Sequence, residues 1–284
     1  MFNLGILASQ NSASPISRVW TTRNPLPAGI QNIAGAGAMD DLVSCGGYDG
    51  SNLANAQKFN GVSHTATGSM PAATYQHVGC GTSSAGLFFC GVRITTRTNF
   101  AYKFDGSTFS TTASAITAMN LTTGCGVQSA ALHYSGQVTT PQNKTAEFNG
   151  TSWTAKANMI TARRASSGCG TSTSALCITG STGASSLSSV EYFNGSTWAT
   201  DVAANRTCYA TSASGEYGAA LLIGGAIGSG SYLDIVDESN GTTWSPVDSI
   251  SSARQSLGAQ GSTSASVAFG GLNAARIATT ETYN

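Results

Sequence analysis

The chain has 284 residues, and thirteen Lys and Arg balance thirteen Asp and Glu, so its formal net charge is zero. That balance excludes the basic footprint of a nucleic-acid or acidic-lipid binder. Only 9% of residues are charged, and no run approaches the roughly 18 apolar residues of a spanning helix, so membrane insertion is excluded too. The opening "MFNLGILASQNSASP" lacks a basic n-region and does not read as a cleaved signal peptide. Seven cysteines is an odd number in a chain too large to need a disulfide framework, so reduced thiols of a cytoplasmically folded protein are expected.

In chain order, residues 1–15 read as an N-terminal arm, in which Phe2, Leu4, Ile6 and Leu7 form one apolar cluster before the polar "ASQNSASP". A lone strand around Trp20 follows. Next comes a unit with a small-residue strand "AGAGA", a hydrophobic strand "LVSCGG", the loop "YDGSNLAN" and a third strand ending at Asn60-Gly61. The same order recurs along the chain. Asn-Gly or Asp-Gly stands at residues 60, 105, 149, 194 and 240, with spacings of 45, 44, 45 and 46. Such a pair between β-branched and aromatic runs predicts a hairpin in which both turn residues take φ > 0. Four residues after each Asn or Asp comes a ring: His64, Phe109, Trp153, Trp198 and Trp244. One period further back is Trp20.

Four short strands per period of about 45 residues describe one propeller blade. The chain begins with an outer strand alone and ends, at "IATTETYN", after a third strand. Joining them completes a sixth blade and leaves no open sheet edge. The expectation is therefore an all-β, six-bladed propeller over residues 16–284, with four antiparallel strands per blade, closed by an N-terminal strand added to three C-terminal ones. The ring residue after each turn is expected to pack against the neighbouring blade. Inner-strand glycines are expected to let the blades converge on the axis.

The stretch "CGGYDGSNLANAQKFNG" resembles a kelch repeat, and "WTAKANMITARRASSGCG" is similar to its continuation, in which an Arg precedes the inner strand. Arg163 or Arg164, Arg206 and Arg254 fill that place, while Tyr75 or Gln76 and Asn120 depart from it. A full Gly-Gly survives only at Gly46-Gly47, Gly224-Gly225 and Gly270-Gly271. A narrower resemblance is to the "FNGTSWT"-type propellers of bacteriophages, especially marine ones. These are low in charge, rich in Ser, Thr, Gly and Asn, and usually assigned to virion structure or tail fibres. That resemblance implies a virion location, capsid or tail, and contacts with other virion proteins.

Catalytic chemistry finds little in the sequence. A copper site, as in some kelch-like propellers, needs several imidazoles, and the three histidines fall in different units. The Trp turns differ in spacing from the Asp-box of sialidases, and the nine Arg are scattered. The glycine-rich "IGGAIGSG" lacks the strand-to-helix context and the Lys of a P-loop. Cys80, Cys125 and Cys169 recur twenty residues past their turns between glycines and are read as packing, with Cys80 and Cys90 as candidate cross-strand neighbours. Cys208 falls outside the pattern.

No cofactor, metal or catalytic residue is therefore expected. The expected function is that of a non-enzymatic virion protein acting by protein–protein contact, alternatively a glycan-binding lectin or adhesin, and in third place a degenerate glycan-active enzyme. Function is expected on the loops between second and third strands, which vary most between units, with Tyr48, Asp49, Arg93, Arg97, Lys144 and Tyr232 as candidate contacts. A host-surface protein or glycan would meet these loops. The arm, through Phe2, Leu4, Ile6 and Leu7, either seals the closing blade or docks on a neighbouring virion protein.

Overall fold

A computed structural model describes residues 18–228 and 230–284. Every regular element in it is a β-strand, and the strands form six four-stranded antiparallel sheets in a ring. Blade 1 runs from inner to outer edge as Ala34–Ala38, Asp41–Cys45, Ala56–Phe59 and His64–Thr67. Blades 2 to 5 repeat that order, with inner strands Val78–Thr82, Thr123–Val127, Ser167–Gly170 and Ser212–Glu216. Blade 6 takes Gly258–Gly261, Ser266–Phe269 and Thr280–Tyr283 from the C-terminal end and Trp20–Arg23 from the N-terminal end. Its closing register pairs Trp20 with Tyr283 and Arg23 with Thr280. Each inner strand meets the inner strands on either side, and that of blade 6 meets that of blade 1. The protein is a six-bladed β-propeller.

The core lies between blades rather than within one sheet. The second strand of each blade is buried on both faces, as the sequence "LFF" or "LLI" requires, and its side chains meet the next blade. Inner strands carry small residues because neighbours come close. A Cβ on Gly79 would sit 2.5 Å from the Gly35 carbonyl oxygen of the preceding blade. The ring residues behave as expected. Trp198 and Trp244 are buried, and their indole N–H groups donate to Thr145 Oγ1 at 2.9 Å and the Val202 carbonyl at 3.1 Å. Trp153 is half-buried and stacks edge-on with Phe89 of blade 2. His64 takes the same place in blade 1, against Phe59 and 2.9 Å from Thr280 Oγ1 of blade 6.

The turn chemistry differs from the expectation. The register pairs Phe59 with His64, so the loop has four residues, and Asn60 keeps an ordinary negative φ. Only the glycine is left-handed, at +86° for Gly61. Asn60 acts instead through its side chain, whose Oδ1 accepts the N–H groups of Val62 and Ser63 at 3.0 and 2.9 Å. Asp105, Asn149, Asn194 and Asn240 do the same. This is an Asx turn, in which a short acceptor side chain stands in for a backbone carbonyl.

Three further details shift. The left-handed backbone of the Gly-Gly doublet persists in all six blades, with Cys90, Ser135 and Thr179 at φ of +62°, +55° and +55° where glycine is absent. Cys80 lies opposite Leu87, not Cys90, and all seven cysteines are free and buried. Of the candidate arginines, Arg163 and Arg254 occupy one shared place. Cys208 stands there in blade 5, while Arg206 reaches in from two residues earlier, so Cys208 belongs to the repeat after all. Thr74 and Met119 hold it in blades 2 and 3.

Candidate functional site

The loops between second and third strands share one face with the crossovers that lead from each outer strand to the next inner strand. Two residues before each inner strand the backbone turns left-handed: Asn32, Gln76, Leu121, Ala165, Ala210 and Ser256 have φ between +49° and +56°. Such backbone is unfavourable for residues with a Cβ unless its surroundings hold it. Here a main-chain hoop does. Asn32 donates its N–H to Ser256, Ser256 to Ala210, Ala210 to Ala165 and Ala165 to Leu121, at 2.8–2.9 Å, and Gln76 donates to Asn32 at 3.3 Å. Between blades 2 and 3 a side chain bridges instead, Asn120 Nδ2 donating to Gln76 Oε1 at 2.7 Å.

Above this hoop lies an axial basin of about 480 Å³, rimmed by Gln31, Arg164, Tyr209 and Gln255 and by the loop Gly183–Ser186. Arg164 donates to Gln137 Oε1 at 2.6 Å, and the Tyr209 hydroxyl donates to the Gly228 carbonyl at 2.9 Å. The carboxamide oxygens of Gln31 and Gln255 are buried and have no hydrogen-bond partner among the described residues. The basin mixes polar and apolar lining and offers one cation, Arg164.

The sequence-predicted residues distribute around this basin rather than converging in it. Tyr48 is half-buried between Tyr75, at 5.5 Å between rings, and the Arg276 guanidinium, 4.8 Å above its own ring. Asp49 is exposed, and hydrogen bonds from the Ser51 N–H and hydroxyl hold its carboxyl below the usual range. Arg93 and Arg97 flank the tip of a short hairpin, Val92–Arg93 with Thr96–Arg97. Arg93 covers the Phe100 ring at 4.9 Å, while Arg97 donates to Asn120 Oδ1 at 2.8 Å and so leads toward the axis. Tyr232 lies on a second hairpin, Ala226–Ile227 with Ser231–Tyr232, in blade 5. Lys144 lines a separate cavity in blade 3. Phe2, Leu4, Ile6 and Leu7 lie outside the described residues.

Sequence reasoning named Arg164 only as an alternative to Arg163 before an inner strand, and it missed Tyr209 and the exposed apolar side chains of the loop face. Ile94 is 85% exposed, and Phe100 and Ile227 are also open to solvent. The signal available was the spacing of Gln31, Tyr75, Asn120, Arg164, Tyr209 and Gln255, which follows the blade period.

The cysteines and two of the three histidines are buried, and His64 is half-buried. Burial lowers His64, His77 and His133 from 6.5 to about 4 and raises Cys90 and Cys125 to about 12. Among the described residues no three His, Cys, Asp or Glu side chains come together as a metal-binding group, and no helix is long and apolar enough to cross a membrane. Arg163 and Arg254 are fully buried and paired with Glu191 and Glu281 at 2.6 Å, and Arg206 is paired with Asp237 at 2.6 Å. These pairs tie the crossovers of blades 4, 5 and 6 to their blades and are structural.

Comparison with known protein families finds no family model that matches this chain, and no curated protein matches it in sequence.

Proposed function

We propose that the protein is a non-enzymatic virion component of a bacteriophage that works by protein–protein contact through its loop face. What supports the contact reading most is the pair of hairpins on blades 2 and 5, which stand on opposite sides of a six-membered ring. They expose Ile94, at the tip of the first, and Ile227, at the end of the second hairpin's leading strand, among otherwise polar loops such as "QVTTPQNK" and "TGASSLSS". An 85%-exposed Ile beside an Arg-covered Phe100 is the kind of apolar and Arg anchor that protein interfaces bury. The kelch-like repeat and the "FNGTSWT" composition support the phage assignment by resemblance. Mass spectrometry of purified phage particles is the test. Peptides of this chain at a fixed ratio to the major capsid protein are expected, reduced when Ile94→Asp and Ile227→Asp are combined. Particles that lack the chain would refute the reading.

A second reading, glycan binding, draws on the axial basin, whose size, hydrogen-bonding rim and single arginine suit one or two sugar rings. A glycan array decides it, with Arg164→Ala and Tyr209→Phe as controls.

A further inference from the structure

The six blades serve as controls for one another, and one of them keeps the donors of a shared arrangement without its acceptor. In blade 4 the Glu191 carboxylate accepts the N–H of Ile160 at 2.8 Å, the N–H of Thr161 at 3.0 Å and the Arg163 guanidinium at 2.6 Å. Blade 6 repeats the arrangement with Glu281, which accepts the Ser251 N–H at 2.8 Å and Arg254 at 2.6 Å. Blade 5 uses the shorter Asp237, and Asn205 and Arg206 supply side-chain donors from the same crossover. Blades 1 and 2 have lost the cradle altogether. Pro27 and Pro71 stand at its first position and have no N–H, and Gln57 and Tyr102 take the acidic place.

Blade 3 keeps the donors and lacks the acceptor. Its crossover reads Ile116-Thr117-Ala118, matching Ile160-Thr161-Ala162, but Ala146 stands in the place of Glu191 and Met119 in that of Arg163. The N–H groups of Ile116 and Thr117 find no partner among the described residues. Where the carboxylate would lie there is an open cavity of about 250 Å³, lined by both of these residues, Met119, His133, Lys144 and Ala146. Lys144 stands on its rim with no ion-pair partner among the described residues, and the neighbouring Glu147 is committed to Lys156 at 2.7 Å. His133 is 2% exposed, its Nε2 3.8 Å from Cys90 Sγ.

From this vacancy we infer that blade 3 carries a binding site for a carboxylate on a short aliphatic stem, such as a Glu side chain or a free short-chain acid. The Ile116 and Thr117 N–H groups receive the carboxylate oxygens, Lys144 supplies the countercharge, and Met119 and Ala146 contact the stem. Two backbone donors aimed at one point recognise an anion without a guanidinium, and charge-assisted bonds to them are the stronger kind. The inference stands on internal comparison and holds whether or not the loop face docks a virion protein.

The probe is propionate, titrated into isotope-labelled full-length protein while the backbone amide resonances are followed by NMR. Saturable shifts at Ile116 and Thr117 are expected, with no such response to the neutral isostere propionamide. The double variant Ala146→Glu/Met119→Arg rebuilds the blade 4 pair and should abolish the response. Should that variant not fold, Lys144→Gln on the otherwise native chain should weaken it about ten-fold, about 1.4 kcal/mol. N-acetylglutamate amide and N-acetylalanine distinguish a side-chain from a chain-terminal carboxylate; binding by either supports the site. Absence of saturable shifts, an equal response to propionamide, or an undiminished response in the folded plugged or Lys144→Gln variant would overturn it.

Discussion

Replacing Glu191 by Ala should cost more stability than replacing it together with its partner. Glu191 and Arg163 are respectively 2% and 0% exposed, and among the described residues their 2.6 Å contact is the only ion pair either makes. The guanidinium also donates to the Thr179 and Ser189 carbonyls at 3.0 and 2.8 Å, so it cannot swing out to water without breaking both. Removing the carboxylate strands a buried cation and two backbone N–H groups, a loss of about 3–5 kcal/mol. For a domain of this size that lowers Tm by roughly 6–20 °C. The double variant Arg163→Met/Glu191→Ala copies what blade 3 already tolerates in Met119 and Ala146. It removes the stranded charge and leaves mainly a cavity and two unpaired N–H groups, so about 1–3 kcal/mol is expected. Chemical denaturation of the two single variants and the double variant gives the coupling energy directly. If the double variant is as unstable as the sum of the singles, the pair is not coupled and the reasoning fails.

Trp198→Ala should destabilise by about 3–5 kcal/mol, since it empties the blade 3–4 contact and removes a donor to Thr145; a loss under about 1 kcal/mol in equilibrium denaturation would contradict that packing. His77 and His133, held neutral by burial at about 4 against 6.5 when unfolded, make the unfolded chain the better proton binder below pH 6.5. Stability should be level from about pH 7 to 8 and fall between about 6.5 and 4, by about 3 kcal/mol per residue at the lower end. Thermal melts across that range check it, and a flat profile would refute it. Deleting residues 1–23 removes the strand Trp20–Arg23 and the Arg18–Glu238 pair at 2.7 Å, which opens blade 6. Dye binding and aggregation on gentle heating are expected; an unchanged, monomeric melt would refute closure by that strand.

The ring architecture was legible because period, turn pair and aromatic are all local signals, repeated often enough to fix strand count and closure. The turn geometry was not. Asn-Gly fits both a two-residue hairpin with two left-handed residues and a four-residue loop with an Asx acceptor. The deciding residues are the Ser or Thr three positions on, such as Ser63 and Thr108, whose N–H the side chain accepts. Between Arg163 and Arg164 the sequence is equally mute. One points to a buried carboxylate in its own blade and the other to Gln137 at the basin, a difference set by a single residue of register. The vacancy in blade 3 was present in the sequence as Ala146 beneath Glu191. It acquires meaning only once Ile160 and Thr161 are seen to donate to that carboxylate. The loop-face residues were found by variability alone, which locates a surface and does not say that Arg97 faces the axis while Arg93 covers Phe100.

The hoop around the axis sets a direction on assembly. Except between blades 2 and 3, where a side chain bridges, each later blade donates a main-chain N–H to the blade before it and so finds its acceptor already in place. One link runs the other way in time: Asn32 must wait for Ser256. The strand at Trp20 waits longer still, for Tyr283. A chain emerging from the ribosome therefore lays down five blades as an open arc with its first strand idle. The ring shuts in a single late step between segments almost a full chain length apart, the kind of long-range pairing that makes folding slow. Until then the flank of blade 1 that blade 6 will cover stays bare.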